Sequence, residues 1–189
     1  MSTEHTYTTT GRDRFCSPAV YASNRHAWVH VFPEGLVHQH AQSDLRYFKW
    51  GVARLILESE PAPDVVPMFI EGTQRMMPED RRFPRFLPRV GKRVRVAFGE
   101  VVDYERTFGD LRTRWRKLVE SGRGEDGKEA REIRIECARR MREEVLKVRR
   151  EMGFPEGDER FGWAETWRGD GERKGRYRSV VDGSDINQD

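Results

Sequence analysis

The sequence predicts an α/β fold built as a thin, incomplete sheet with packed helices, followed by a helical extension and a disordered tail. Two observations carry the first part. Short apolar runs at 28–32, 65–70 and 93–98 read as strands, and a segment of helical period lies between the first two. The order strand, helix, strand, loop, strand is that of an α/β layer. Three strands make a thin sheet, which implies that something upstream is missing. The third observation is the change of pattern after residue 102, from strand-like runs to two long stretches of helical period and then to none.

The first strand is Trp28, Val29, Val31 and Phe32, apolar with β-branched and aromatic content, stopped by Pro33 and Gly35. From Asp44 onward Leu45, Phe48, Val52, Leu55 and Ile56 recur at helical spacing, with Arg46, Lys49, Arg54 and Glu58 on other faces. Ser43 or Asp44 is the expected cap and Pro61 the stop. Val65 to Ile70 is short enough to be a strand buried on both faces, and its Pro67 argues for an edge position or a bulge. A basic, proline-punctuated loop runs from Glu71 to Lys92. Arg93 to Phe98 then alternates, with Val94, Val96 and Phe98 on one face and Gly99 as the stop.

Beyond this layer, Tyr104 to Glu120 reads as one helix and Lys128 to Met152 as a longer one. The second carries an apolar stripe at Ala130, Ile133, Cys137, Met141, Val145, Val148 and Met152. Glu136 with Arg140, and Glu143 with Lys147, are expected to pair along its solvated face. Residues 153–189 are rich in Gly and charge, with isolated Trp163, Trp167 and Tyr177 and no sustained period, and are expected to be a disordered tail. The expected division is therefore 1–26 disordered, 27–102 the α/β part, 103–152 the helical extension and 153–189 the tail.

Composition narrows the function classes. Only 36% of the 189 residues are hydrophobic, low for a compact domain, and 35 Lys+Arg stand against 32 Asp+Glu for a formal charge of +3. That mixture suits an anionic partner without naming one. Cys16 and Cys137 have no spaced partners, which argues against a disulfide framework and a thiolate metal site. No stretch approaches the roughly 18 apolar residues of a spanning helix, and the N-terminus lacks the apolar core of a signal peptide. Membrane contact is then expected to be peripheral or interfacial. The Thr-rich segment Met1 to Asp13 carries Glu4 and Asp13, a poor fit to a mitochondrial targeting sequence. There is no internal repeat.

The most informative stretch is Trp28-Val29-His30-Val31-Phe32-Pro33-Glu34-Gly35. Pro-Glu-Gly forces a sharp turn, Gly35 leaves space beside the Glu34 carboxylate, and an exposed carboxylate can accept hydrogen bonds from the hydroxyls of a polyol. A strand-terminal turn with a merely exposed Glu is the bland alternative. Phe32-Pro33-Glu34-Gly35 resembles the substrate-binding motif of the glycerolipid acyltransferases. Arg46-Tyr47-Phe48-Lys49-Trp50-Gly51, Val65-Val66-Pro67-Met68, Phe83-Pro84-Arg85-Phe86, the Arg93 strand and the charged helical region resemble the tafazzins in that order, over about Trp28 to Met152. The resemblance implies an acyltransferase-type sheet, of which this is the C-terminal half. It also implies transfer of acyl chains between phospholipids and lysophospholipids without a diffusible cofactor, cardiolipin remodelling, and peripheral or monotopic placement on mitochondrial membranes. Phe32, Pro33, Glu34 and Gly35 would bind substrate.

Acyl transfer to a lysolipid hydroxyl needs a general base, which the family supplies from H-x-x-x-x-D. Five positions after His5, His26, His30, His38 and His40 stand Thr10, Val31, Gly35, Ser43 and Leu45, so this motif is absent and no catalytic residue is assigned. A truncated gene model is the leading explanation, ahead of a noncatalytic relative and of complementation by another chain. His30 as a substitute base is outweighed by a structural or solvent-facing role. His38, His40 and Asp44 fall in a turn without a fourth ligand and read as a solvated loop, so no metal is expected. Cys16 has no base nearby and reads as incidental.

Arg75, Arg81, Arg82, Arg85, Arg89, Lys92 and Arg93 cluster between the second and third strands, where Arg81, Arg82 and Arg85 could contact lipid phosphate and Phe83, Phe86 and Pro88 could enter an interface. An ordinary solvated loop is an equal alternative. The same residues support a rival class, a noncatalytic nucleic-acid-binding or lipid-surface-binding module, but no RNA-binding motif accompanies them and nucleic acid is not favoured. The apolar region from Phe48 to Ile70 could be an interfacial anchor, though packing as core is the preferred reading. Oligomeric state is not legible.

Overall fold

The computed structural model describes residues 6–7, 15–16, 28–122 and 127–188, and the chain divides into two compact units, Met1–Val31 and Phe32–Asp189. In the first unit β1 (Thr6–Tyr7) pairs antiparallel with β2 (Phe15–Cys16). The rest of the segment expected to be disordered lies outside the described residues. Trp28 to Val31 is not the strand expected: it has no regular structure, and Trp28, Val29 and Val31 are exposed. Apolar β-branched residues favour a strand only where a partner strand receives them, and among the described residues this run has none.

The second unit is built on helices. α1 (Gly51–Glu58), α3 (Tyr104–Glu120) and α4 (Lys128–Glu151) pack together, with the short α2 (Thr73–Met76) between them in sequence. α3 begins where Asp103 accepts the Arg106 N–H at 3.1 Å, an N-cap that satisfies one of the free amides of the first turn. Its Phe108, Leu111, Trp115 and Leu118 recur at helical spacing and face Ala130, Ile133, Cys137, Met141, Val145 and Val148 of α4 in one core. Met152, the last member of the expected stripe, packs partly buried against it. Ala53, Ile56 and Leu57 of α1, with Leu45, Phe48 and Phe69, complete the core, so the apolar region expected as core or anchor is core. On the solvated face Glu136 pairs with Arg140 at 2.8 Å as expected, but Lys147 pairs with Glu144 and Glu143 with Arg150.

The strands form small antiparallel sheets, and the class is mixed α and β. β4 (Met68–Glu71) and β5 (Arg95–Phe98) make a two-stranded sheet in the register Met68 to Phe98 through Glu71 to Arg95. β4 starts just after Pro67, which has no N–H to give but accepts from Gly99 N at 2.9 Å, and the strand lies at an edge as its proline requires. It is not buried on both faces: Phe69 and Glu71 are buried, while Met68 and Ile70 are only partly so. Val94, just before β5, and Val96 and Phe98 on it are exposed.

Two expectations are corrected here. Asp44 to Trp50 is not helical, although Asp44, Leu45, Arg46 and Phe48 are buried; the helix starts only at Gly51. Residues 154–188 are not a disordered tail. They form short 3₁₀ turns at Glu159–Gly162 and Ala164–Trp167, α5 (Arg168–Gly171), β6 (Gly175–Arg178) and β7 (Asp185–Gln188). β7 lies between β6 and β3 (Val37–Gln39) in a three-stranded sheet. Trp167 and Ile186 are fully buried. Trp167, which looks isolated in sequence, is completed by His38 and Arg46 from the other end of this unit, which no local period can reveal.

Candidate functional site

Phe32-Pro33-Glu34-Gly35 closes a β-turn, with Gly35 N donating to Phe32 O at 3.1 Å. Gly35 has φ +64°, and a Cβ there would come within 2.9 Å of the Lys49 side chain; the glycine makes room for Lys49 rather than for the Glu34 carboxylate. The following segment holds the turn: Lys49 N donates to Pro33 O at 2.7 Å, and Arg46 N donates to Glu34 Oε2 at 2.9 Å. Those bonds, to partners outside any helix, explain why residues 44–50 leave helical geometry.

Glu34 keeps 22% of its side-chain exposure and lines a cleft of about 80 Å³ together with His38, His40, Asp44, Phe69 and Gln74. Arg46 N donates to its Oε2, and His38 lies beside the same oxygen. His38 Nδ1 is 3.6 Å from Glu34 and its Nε2 is 3.2 Å from Asp182, in the loop before β7. Burial opposes charge on His38, but the Asp182 and Glu34 carboxylates outweigh it and raise its pKa. Burial likewise opposes charge on Asp182, yet the bonds from His38 and Ser184 leave its carboxyl depressed. His38 is thus a buried link between two carboxylates, not the solvated loop residue expected. Two carboxylates that favour its protonated form leave the ring a poor acceptor of a substrate proton. No group of His, Cys, Asp and Glu among the described residues could hold a metal ion.

Arginines of α4 hold the 42–46 segment beside the cleft. Arg142 donates to the carbonyls of Leu45 and Arg46 at 2.8 and 3.0 Å. Arg149, one heptad on along the same helix face, donates to Gln42 O and Ser43 O at 3.0 and 3.1 Å and to Pro155 O, and pairs with Asp44 at 3.1 Å. Arg46 lies 3.9 Å over the Trp167 ring and 3.5 Å from the buried Asp170. Gly157 fits against Asp44, where a Cβ would stand 2.2 Å from the carboxylate. Arg46 stands in the stretch that resembles the tafazzins, but no sequence signal marks Arg142, Arg149, Asp170 or Asp182; Arg142 and Arg149 lie next to the buried stripe in spacing but look like solvated charges in type.

The other expected site residues are separate. Arg81 donates to Arg85 O and Pro78 O at 2.5 and 2.8 Å, and Arg85 donates to Glu79 O at 2.6 Å, so both brace their own loop, while Arg82 is exposed. His30 lies in the first unit. Burial pushes the Cys137 thiol up to about 12, the opposite of an activated nucleophile.

Glu34 thus sits in a hydrogen-bonded turn at the edge of a small polar cleft, in a chain whose sequence is similar to those of the tafazzins. The likeness to the tafazzins is shown. Tafazzin of Saccharomyces cerevisiae is 32% identical over 185 residues, 88% of this chain and 48% of the yeast protein. Tafazzin of Drosophila melanogaster is 39% identical over 87 residues, covering 46% of this chain and 22% of the fly protein. N-acylphosphatidylethanolamine synthase of Arabidopsis thaliana is 37% identical over 81 residues, covering 42% and 28%. The chain spans about half the length of the yeast protein and less of the others. No family model matches.

Proposed function

We propose that this chain supplies the headgroup-holding part of a phospholipid–lysophospholipid transacylase of the tafazzin type, acting in phospholipid acyl-chain remodelling at a membrane surface. The observation that carries the reading is Glu34, a partly exposed carboxylate lining the cleft with its Oε2 bonded to the Arg46 amide. A cleft of about 80 Å³ is far below the 300 Å³ or more of a pocket that encloses a small ligand. It admits a hydroxyl-bearing fragment such as a glycerol or headgroup end, and the acyl chains lie outside it. Glu34 would accept the hydroxyl hydrogen bond and orient that oxygen. Deprotonation requires a base; the H-x-x-x-x-D pattern is absent from this sequence, and two carboxylates favour the protonated form of His38. A mitochondrial membrane and cardiolipin as substrate are carried by the tafazzin resemblance alone. Among the described residues no helix is long and apolar enough to cross a membrane.

The test is a titration of the ¹⁵N-labelled chain with a monomeric short-chain lysophosphatidylcholine. Amide shifts at Glu34, Gly35 and Arg46 that saturate, and that vanish in Glu34→Gln, are the expected result. Shifts that survive the substitution, or that never reach the turn, would remove Glu34 from substrate binding.

A further inference from the structure

The loop between α2 and β5 displays four large apolar side chains within eight residues: Phe83 is 90% exposed, Phe86 74%, Leu87 54% and Val90 91%. Isolated exposed apolar residues are ordinary, but a cluster at a loop tip costs solubility and calls for a partner. Exposed Arg82, Arg89, Lys92 and Arg93 surround them. Arg82 and Arg89 line a second cleft of about 460 Å³ with Asp80, Arg81, Pro84 and Leu87.

The loop is braced from within. Arg81 holds the carbonyls of Pro78 and Arg85, Arg85 holds Glu79 O, Leu87 N donates to Pro84 O at 3.3 Å and Arg89 N to Met76 O at 2.8 Å. Gln39 of β3 fastens its base, donating to Met77 O at 2.9 Å and accepting from Glu79 N at 2.9 Å. A segment that enters a low-dielectric interface needs its backbone polar groups satisfied internally, and much of this one is.

We propose that the loop carrying Phe83, Phe86, Leu87 and Val90 docks onto an anionic lipid bilayer. The apolar tip enters the acyl boundary, and Arg82, Arg89, Lys92 and Arg93 lie against the phosphates. Charge and shape choose this partner. Guanidinium groups and an ammonium match lipid phosphates, and each basic residue near an anionic surface contributes to attachment. Leu87 and Val90 offer acyl chains an apolar contact but give a nucleobase no ring on which to stack. The inference takes its partner class from the lipid reading above, but it concerns a surface distinct from the Glu34 turn.

The experiment is flotation of the full chain with vesicles of phosphatidylcholine alone and of phosphatidylcholine mixed with phosphatidylglycerol. The wild type should float with the mixed vesicles and only weakly with the neutral ones. Phe83→Ser/Phe86→Ser should lower the partition by about a hundredfold, since each buried ring contributes at least about a tenfold share. Arg82→Glu/Arg89→Glu should lower it tenfold or more on mixed vesicles and little on neutral ones. These side chains are exposed, so thermal melts of the variants should match the wild type. The lysolipid-induced shifts of Glu34 and Arg46 should persist in them, which separates failure of the docking surface from failure of the headgroup site. Wild-type partition in both double variants would overturn the proposal, as would retention of a single-stranded RNA in a gel shift by a chain that floats with neither vesicle.

Discussion

Arg149 shows how much of this structure depends on single buried cations. Its guanidinium is fully buried, paired with Asp44 and donating to the carbonyls of Gln42, Ser43 and Pro155, so it ties the segment before the cleft to both α4 and the C-terminal region. Removing one partner of a buried pair leaves the other uncompensated. Arg149→Ala should therefore cost about 3–5 kcal/mol, read from the shift of a urea unfolding midpoint. A midpoint within error of the wild type would show that solvent replaces the lost bonds. The residue was not legible in the sequence because its partners Gln42, Ser43 and Asp44 lie more than a hundred positions away. Glu34 was legible because turn chemistry is local, although the partner of Gly35 proved to be Lys49.

The element that links the two ends of the second unit is the sheet of β3, β7 and β6, and the His38 contact with Asp182 and Glu34 is its polar clasp. His38 has its pKa raised above 6.5, so its contribution is complete below that pH and is lost as pH rises through the raised value. Asp182 is depressed below 3.8, so its contribution is present above that pH and is lost as pH falls. The clasp is then strongest between about 3.8 and 6.5. Unfolding free energy measured from pH 6 to pH 9 should decline more steeply for the wild type than for His38→Gln; parallel curves would mean the imidazole carries no linked charge. Helices α3 and α4 were readable nearly to the residue because their apolar period is a local signal. The strand at 28–32, the helix at 44–50 and the tail were misread because pairing, arginine bonds and the burial of Trp167 and Ile186 are settled by distant residues.

At the scale of the whole molecule, the likeness to yeast tafazzin runs along 88% of the chain, and the second unit holds an acidic turn at a small cleft, an arginine-bound segment beside it and a three-stranded sheet that joins its two ends. The central claim is that Glu34 orients a lipid headgroup for chemistry whose acid–base pair this sequence does not contain. The most direct measurement is acyl transfer from radiolabelled phosphatidylcholine to a lysolipid by a hybrid in which Phe32 to Gln188 replaces the matched segment of yeast tafazzin. The account predicts that the 189-residue chain alone stays at background. It also predicts that the hybrid turns over and that Glu34→Ala lowers its rate by about a hundredfold with folding intact, the scale of a misplaced substrate. A Glu34→Ala hybrid that works at the full rate would contradict it.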